Sequence, residues 1–218
     1  MYLITWKKEL PAIMLVLIVI AITIALYPHY PDRLAIHWNL RGEVDGYADK
    51  TVLNTLLMPL VTVAIMGLML FLPFIDPKQE KYALFDQPYR TIRFAIVALF
   101  CLVQGSMIIT YIGHPVPITK FTTAVLSLLI IVMGNLMGKI RQNWFIGFRF
   151  PWTLAREDVW NRTNRLGGKL FVASGLLGLV SVPLFPVWAE VLLIGSLLLA
   201  AVITIIYSVV IFRKPEAK

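Results

Sequence analysis

Six runs of this sequence are each long and apolar enough to cross a membrane, at about residues 10–27, 52–74, 91–112, 119–138, 169–186 and 188–212. A helix needs roughly 20 apolar residues to span hydrocarbon, and each run meets or approaches that length. With 59% hydrophobic and 15% charged residues, the 218-residue chain has too little polar surface to enclose its apolar side chains in water. Lipid is the solvent that fits. Pro183 and Pro186 divide the last two runs, because proline lacks an amide hydrogen and clashes with the preceding turn. The first run follows Lys7 and Lys8 but ends in Leu26-Tyr27-Pro28 instead of a small-residue cleavage site, so it reads as a retained helix and not a signal peptide. The fold expected is all-α: a polytopic integral membrane protein of six transmembrane helices.

Charge orients it. Sixteen of the twenty Lys and Arg residues fall in the N-terminus, the 76–93 and 139–169 connectors and the tail, whose last is Lys218; four fall in the alternate connectors. Basic residues stay on the cytoplasmic side, so both termini are expected inside a bacterial plasma membrane, with segment 28–50 outside. The formal net charge of +8 is thereby a topology signal with attraction to anionic membrane lipid, and no motif for direct nucleic-acid binding accompanies it.

Several chemistries find no support. Cys101 is the single cysteine, so neither an intrachain disulfide nor a cysteine metal cluster can form. His29 and His37 lack a third ligand, and Glu43, Asp45 and Asp49 lack EF-hand spacing. Neither a hydrolase elbow, a zinc-protease helix nor a phosphate loop is present; Gly167-Gly168-Lys169 reads as a site of close helix approach. No enzyme activity, metal or cofactor is expected. The spans carry no Asp, Glu, Lys or Arg away from their ends. Asn54, Thr62, Gln104, Ser106, Asn135 and Ser174 read as helix-packing residues. The alternative, a six-helix transporter or permease for a small solute, requires a water-lined path reaching Gln104, Asn54 or Asn135.

The connectors are patterned. In 28–50, Leu34 to Trp38 predicts a short strand, and Gly42 with Asp45-Gly46 predicts turns, giving an ordered hairpin-like loop. Its His37-Trp38-Asn39 run serves either as an interfacial aromatic anchor or as contact for an external ligand. Segment 76–90 predicts an amphipathic lid on the headgroups. In 139–169, four large aromatics between Asn143 and Trp152 alternate with Gly147, Arg149 and Pro151. From Thr153, the expected N-cap, to Leu166 the pattern is an amphipathic helix in the membrane interface, with Ala155, Val159, Thr163 and Leu166 on one face and Asn164 among the polar residues of the other. Two readings of this connector stand: a lipid anchor or a protein-docking surface.

The run N-x-F-I-G-x-R-x-P-W-T-L from Asn143 to Leu154, then Val159-Trp160 and T-x-R-x-G-G-K from Thr163 to Lys169, resembles the signature of SdpI-type immunity proteins. H-W-N-x-x-G-x-x-D-G, His37 to Gly46, is similar to the small domain that commonly precedes it; Phe71-Leu72-Pro73, Asp76-Pro77-Lys78 and Tyr82 also fit. Phe150, Ala155 and Asn164 depart from the Thr, Ser and His usual at those places. The resemblance divides the chain into a 1–75 helix-loop-helix unit and a 76–218 four-helix unit. It implies protection of a bacterium from a secreted, SdpC-like peptide toxin, and in some members reception of the toxin with capture of a small helix-turn-helix repressor at the membrane. By that resemblance His37, Trp38, Asn39, Gly42 and Asp45 would meet toxin. Asn143, Phe145, Gly147, Arg149, Pro151, Trp152, Thr153, Trp160 and Arg165 form the cytoplasmic signature that would dock the repressor.

Overall fold

The computed structural model describes residues 4–39 and 41–214. Leu40, next after Asn39 in sequence, and Lys218, counted with the basic tail, lie outside the described residues. Six helices are long and apolar enough to cross a membrane: α1 (Trp6–Leu26), α2 (Val52–Ile75), α3 (Asp86–Tyr111), α4 (Ile118–Met137), α6 (Glu157–Leu184) and α7 (Ala189–Phe212). A five-residue helix, α5 (Pro151–Ala155), precedes α6. Between α1 and α2, β1 (Arg33–Trp38) and β2 (Val44–Asp49) form an antiparallel hairpin. Because successive spans reverse direction, the hairpin lies at one end of the bundle. The first and last described residues and the 76–85 and 138–156 segments lie at the other, the terminal end.

The spans match expectation, with two differences in where they begin. Helix α3 starts at Asp86, whose carboxylate suits the positive end of a helix dipole. The larger difference is in α6. The amphipathic segment is not a separate interfacial helix; it is the first three turns of a 28-residue helix that runs through Gly167 and Gly168. Those glycines do not interrupt it because α4 requires them. A Cβ on Gly168 would lie 2.5 Å from the Gly134 carbonyl oxygen, and one on Gly134 would lie 2.6 Å from that of Gly168. Close approach of this kind maximises dispersion contacts where hydrocarbon offers no hydrophobic drive. Thr153 is the N-cap of neither helix: it is the third residue of α5, where its hydroxyl accepts the Phe150 N–H, and Arg156 is the residue before α6.

Helix α3 packs on α1, α2 and α4, while α6 packs chiefly between α4 and α7. Near the terminal end, Glu9 of α1 and Arg93 of α3 form an ion pair, Arg93 Nε donating to Glu9 Oε2 at 3.1 Å and a second guanidinium nitrogen to Oε1. Both are buried, at 3% and 1% exposure. Eighty-four residues separate them in sequence, so no local pattern announces the pair. Removing one partner from such a pair strands a charge and costs about 3–5 kcal/mol.

Segment 76–85 differs from the expected lid. It holds a 3-10 turn, Gln79–Leu84, and sends Tyr82 inward to a cluster with Phe85, Tyr89, Ile92, Met137, Ile140 and Trp160. The aromatic face that suggested headgroups covers protein instead.

Candidate functional sites at the two ends of the bundle

At the hairpin end, β1 and β2 pair from Arg33 opposite Asp49 to Trp38 opposite Val44, with register shifts around His37. Asn39 builds the turn: its Oδ1 accepts the Arg41 and Glu43 N–H groups at 2.9 and 3.1 Å, and its Nδ2 donates to Glu43 Oε2 at 2.9 Å. Gly42 has φ +82°, the left-handed region that a side chain rarely tolerates, and rests against Thr119 at the start of α4. Contacts to α3 and across its own base hold the hairpin. Tyr111 of α3 donates to the Ala35 carbonyl at 2.8 Å, and at the base Lys50 donates to the Tyr30 carbonyl at 2.8 Å. Leu34 packs with Tyr30, Met107 and Ile108. On the open side His37 Nδ1 pairs with Asp45 Oδ1, both side chains exposed. Burial pushes the Tyr30 hydroxyl above its ordinary pKa.

At the terminal end, the 141–156 segment is ordered by side chains that bond to backbone. Asn143 is wholly buried and makes four such bonds, accepting from Phe145 and Ile146 N–H at 2.8 Å and donating to the Arg141 and Ile146 carbonyls. Gly147 has φ +120°, and a Cβ there would meet Asn164 Oδ1 at 2.7 Å. That same Asn164 oxygen accepts the Phe148 N–H at 2.9 Å, while its Nδ2 donates to the Trp160 carbonyl at 3.0 Å. Asn164 therefore faces inward, opposite to its expected place on a solvated helix face. Once the amphipathic segment is the root of a packed span, its polar side has protein to meet. Trp160 is fully buried and donates its indole N–H to the Ile140 carbonyl at 2.9 Å. The Thr153 hydroxyl accepts the Phe150 N–H and donates toward the Phe148 carbonyl, each at 2.8 Å. Trp152 stacks on Phe150 and donates to Ser208 Oγ of α7 at 2.9 Å.

Asp76 joins this segment to the preceding connector. Its Oδ2 accepts from the Tyr82 hydroxyl and the Trp144 N–H, both at 2.9 Å, and its Oδ1 from the Lys78 N–H at 2.8 Å. Lys78 Nζ in turn donates to Gln142 Oε1, and Gln142 Nε2 donates to the Thr153 and Leu154 carbonyls. Burial, then the neighbouring Lys81 charge, holds the Lys78 ammonium below its ordinary pKa. Asp76 was visible in the sequence only as part of the resemblance, with nothing to tie it to Trp144.

The sequence candidates at this end thus separate into two sets. Asn143, Thr153 and Trp160 are buried framework, and Gly147 and Phe145 line an open cavity of about 350 Å³ with Met69, Ile92, Met133 and Phe171. Arg149, Pro151 and Arg165 are exposed and Trp152 half-exposed, with Trp144 beside Arg149, whose guanidinium donates to the Trp144 carbonyl at 2.6 Å. The three polar residues that a transport path would need fall in two separate places. Asn54 and Gln104 line an apolar cavity of about 360 Å³ beneath the hairpin, and Asn135 lines a different one near the terminal end. No group of three metal-ligating side chains occurs among the described residues.

Six membrane-length helices with one hairpin end and one side-chain-bonded loop end define a multi-pass membrane protein. Residues 139–208 match the SdpI/YfhL protein family and residues 14–63 match a domain of unknown function, DUF1648. The chain is 27% identical over 208 residues, 95% of its own length and 97% of the relative's, to the protein named Immunity protein SdpI of Bacillus subtilis (strain 168). The SdpI/YfhL match thus falls on the signature connector and the two spans that follow it. No solved structure matches it.

Proposed function

We propose that this chain is an immunity protein of the bacterial cell membrane, with both termini in the cytoplasm, that protects its owner from a secreted peptide toxin of the SdpC-like kind and performs no enzymatic chemistry. The observation that carries this reading is the end-to-end likeness to an immunity protein, which includes both ordered ends and all six spans. On this reading the hairpin faces outward, and His37, Trp38, Asn39, Gly42 and Asp45 are its toxin-contact residues. The exposed His37–Asp45 pair and the half-exposed Trp38 offer charge and aromatic surface on a hairpin held by its underside.

The terminal end would serve reception. A small helix-turn-helix repressor docks there on the exposed residues Arg149, Pro151, Trp152 and Arg165, whose positions are fixed by Asn143, Phe145, Gly147, Thr153 and Trp160 beneath. An exposed arginine held at the Trp144 carbonyl suits bidentate bonding to a partner carboxylate. Protection is tested by exposing toxin-sensitive cells, with and without this chain, to graded peptide. Survival at higher dose is expected, and equal killing contradicts the proposal. Reception is separable: a fluorescent repressor should move to the membrane only when toxin and this chain are both present, and one that stays in the cytoplasm rules out reception alone.

A further inference from the structure

On the exposed side of the α4–α6 seam, near the terminal end, lies a cavity of about 310 Å³. Gly134, Gly138 and Gly168 form its floor, and Asn135, Arg165 and Lys169 stand around it. Arg165 lies along Gly138, its Cα, Cβ and Cγ 3.8–3.9 Å from where a Cβ on that glycine would be. With Arg162 these cations share one face of α6, at i, i+3 and i+7. Among the described residues neither Arg165 nor Lys169 forms an ion pair with a carboxylate, while Arg162 lies in the field of Asp158, one turn before it. The nearest acids on α6, Glu157 and Asp158, are held by Lys81 at 2.9 Å and Arg156 at 2.8 Å.

Depth makes this unusual. Fifteen residues follow Lys169 before α6 ends at Leu184, a rise of about 22 Å at 1.5 Å per residue. That is shorter than the ~30 Å of hydrocarbon to be crossed, so with Leu184 at the far face the Lys169 backbone lies ~8 Å inside the near one, and its long side chain reaches toward the headgroups. A cation at that depth is stabilised by an anionic partner. The negative end of the α4 dipole, about half a unit charge, lies beside the cations and leaves the site net positive.

We propose that this cavity binds one anionic phospholipid of the leaflet at the terminal end. Arg165 and Lys169 take the phosphate, the Asn135 amide adds a donor, and an acyl chain follows the glycine floor past Val172. A zwitterionic headgroup would bring an ammonium to a rim that carries no carboxylate. Free phosphate has no hydrocarbon with which to fill the floor. The proposal needs only that the protein sits in a membrane, and stands or falls apart from the immunity reading.

The test is lipid retention by the full-length protein, purified in zwitterionic detergent, titrated with dioleoylphosphatidylglycerol and weighed by native mass spectrometry. One retained phosphatidylglycerol per chain is expected, with dioleoylphosphatidylcholine retained far less and inorganic phosphate failing to compete. Arg165→Gln with Lys169→Gln keeps most of each stem and should weaken retention about thirtyfold, as two cations each worth about 1 kcal/mol beside anionic lipid imply. Lys7→Gln with Lys8→Gln, equal in charge lost, should leave it unchanged. Gly138→Leu fills the floor without altering charge, since a Cβ there meets only ordinary contacts, and should weaken retention as well. Retention equal to the parent in the Arg165/Lys169 variant overturns the proposal. So does equal loss in the Lys7/Lys8 variant, or displacement of the lipid by inorganic phosphate. Full retention in Gly138→Leu would overturn the cavity as the binding place, leaving a surface charge effect.

Discussion

The hairpin and the 141–156 segment carry the two longest sequence motifs of the chain, and they use them in opposite ways. In the hairpin the motif's charged pair faces out: His37 and Asp45 are exposed, Asn39 and Gly42 shape the turn, and attachment to the bundle rests mainly on Leu34 and Tyr111 outside the motif, with Trp38 and the Asn39 carbonyl adding contacts from within it. In the terminal-end segment the motif is itself the attachment. Asn143, Thr153, Trp160 and Asn164 turn inward and satisfy backbone groups that would otherwise be buried without partners. A motif can thus mark a surface or a skeleton, and only the direction of its side chains tells which. At the terminal end the residues left outside are Arg149, Pro151, Trp152 and Arg165, and the proposed docking rests on them alone.

Substitutions can break that contrast. The largest effect is expected for Asp76→Ala, which removes the acceptor of three hydrogen bonds linking both terminal-end connectors. It should destabilise by about 3 kcal/mol or more, seen as a lowered midpoint in denaturant unfolding of the detergent-solubilised protein. Asn164→Ala should cost about 1–3 kcal/mol by leaving the Phe148 N–H buried and unbonded. Asn164→His, the residue the family resemblance leads one to expect there, should restore part of the loss, since an imidazole nitrogen can accept the same bond. His37→Ala with Asp45→Ala should cost no more than about 1 kcal/mol, the scale of an exposed ion pair. A hairpin change as damaging as the Asp76 change would erase the distinction between the two ends.

The parts of this fold legible in the sequence are those set by contact with lipid. The six spans are composition and length, and the hairpin is alternation with turn residues, so both can be read locally. The root of α6 could not be read so. Gly167-Gly168 signals helix approach, but whether the helix continues through it depends on Gly134, thirty-odd residues away on another span. The inward face of Asn164 follows from that continuation. Pairings such as Glu9 with Arg93 and Asp76 with Trp144 lie further beyond local pattern, because each partner alone looks like an interfacial charge or an unremarkable amide. The motif in 139–169 was legible as a family mark, and its internal geometry was not.

The central claim, that the outward hairpin meets toxin while the buried terminal-end motif holds the fold, is tested most directly by survival under toxin per unit of folded protein in the membrane. The account predicts that His37→Ala with Asp45→Ala leaves the folded amount unchanged and lowers survival per folded protein. It predicts that Asn164→Ala lowers the folded amount and leaves survival per folded protein unchanged. Full protection by the hairpin variant, at parental levels of folded protein, would contradict it.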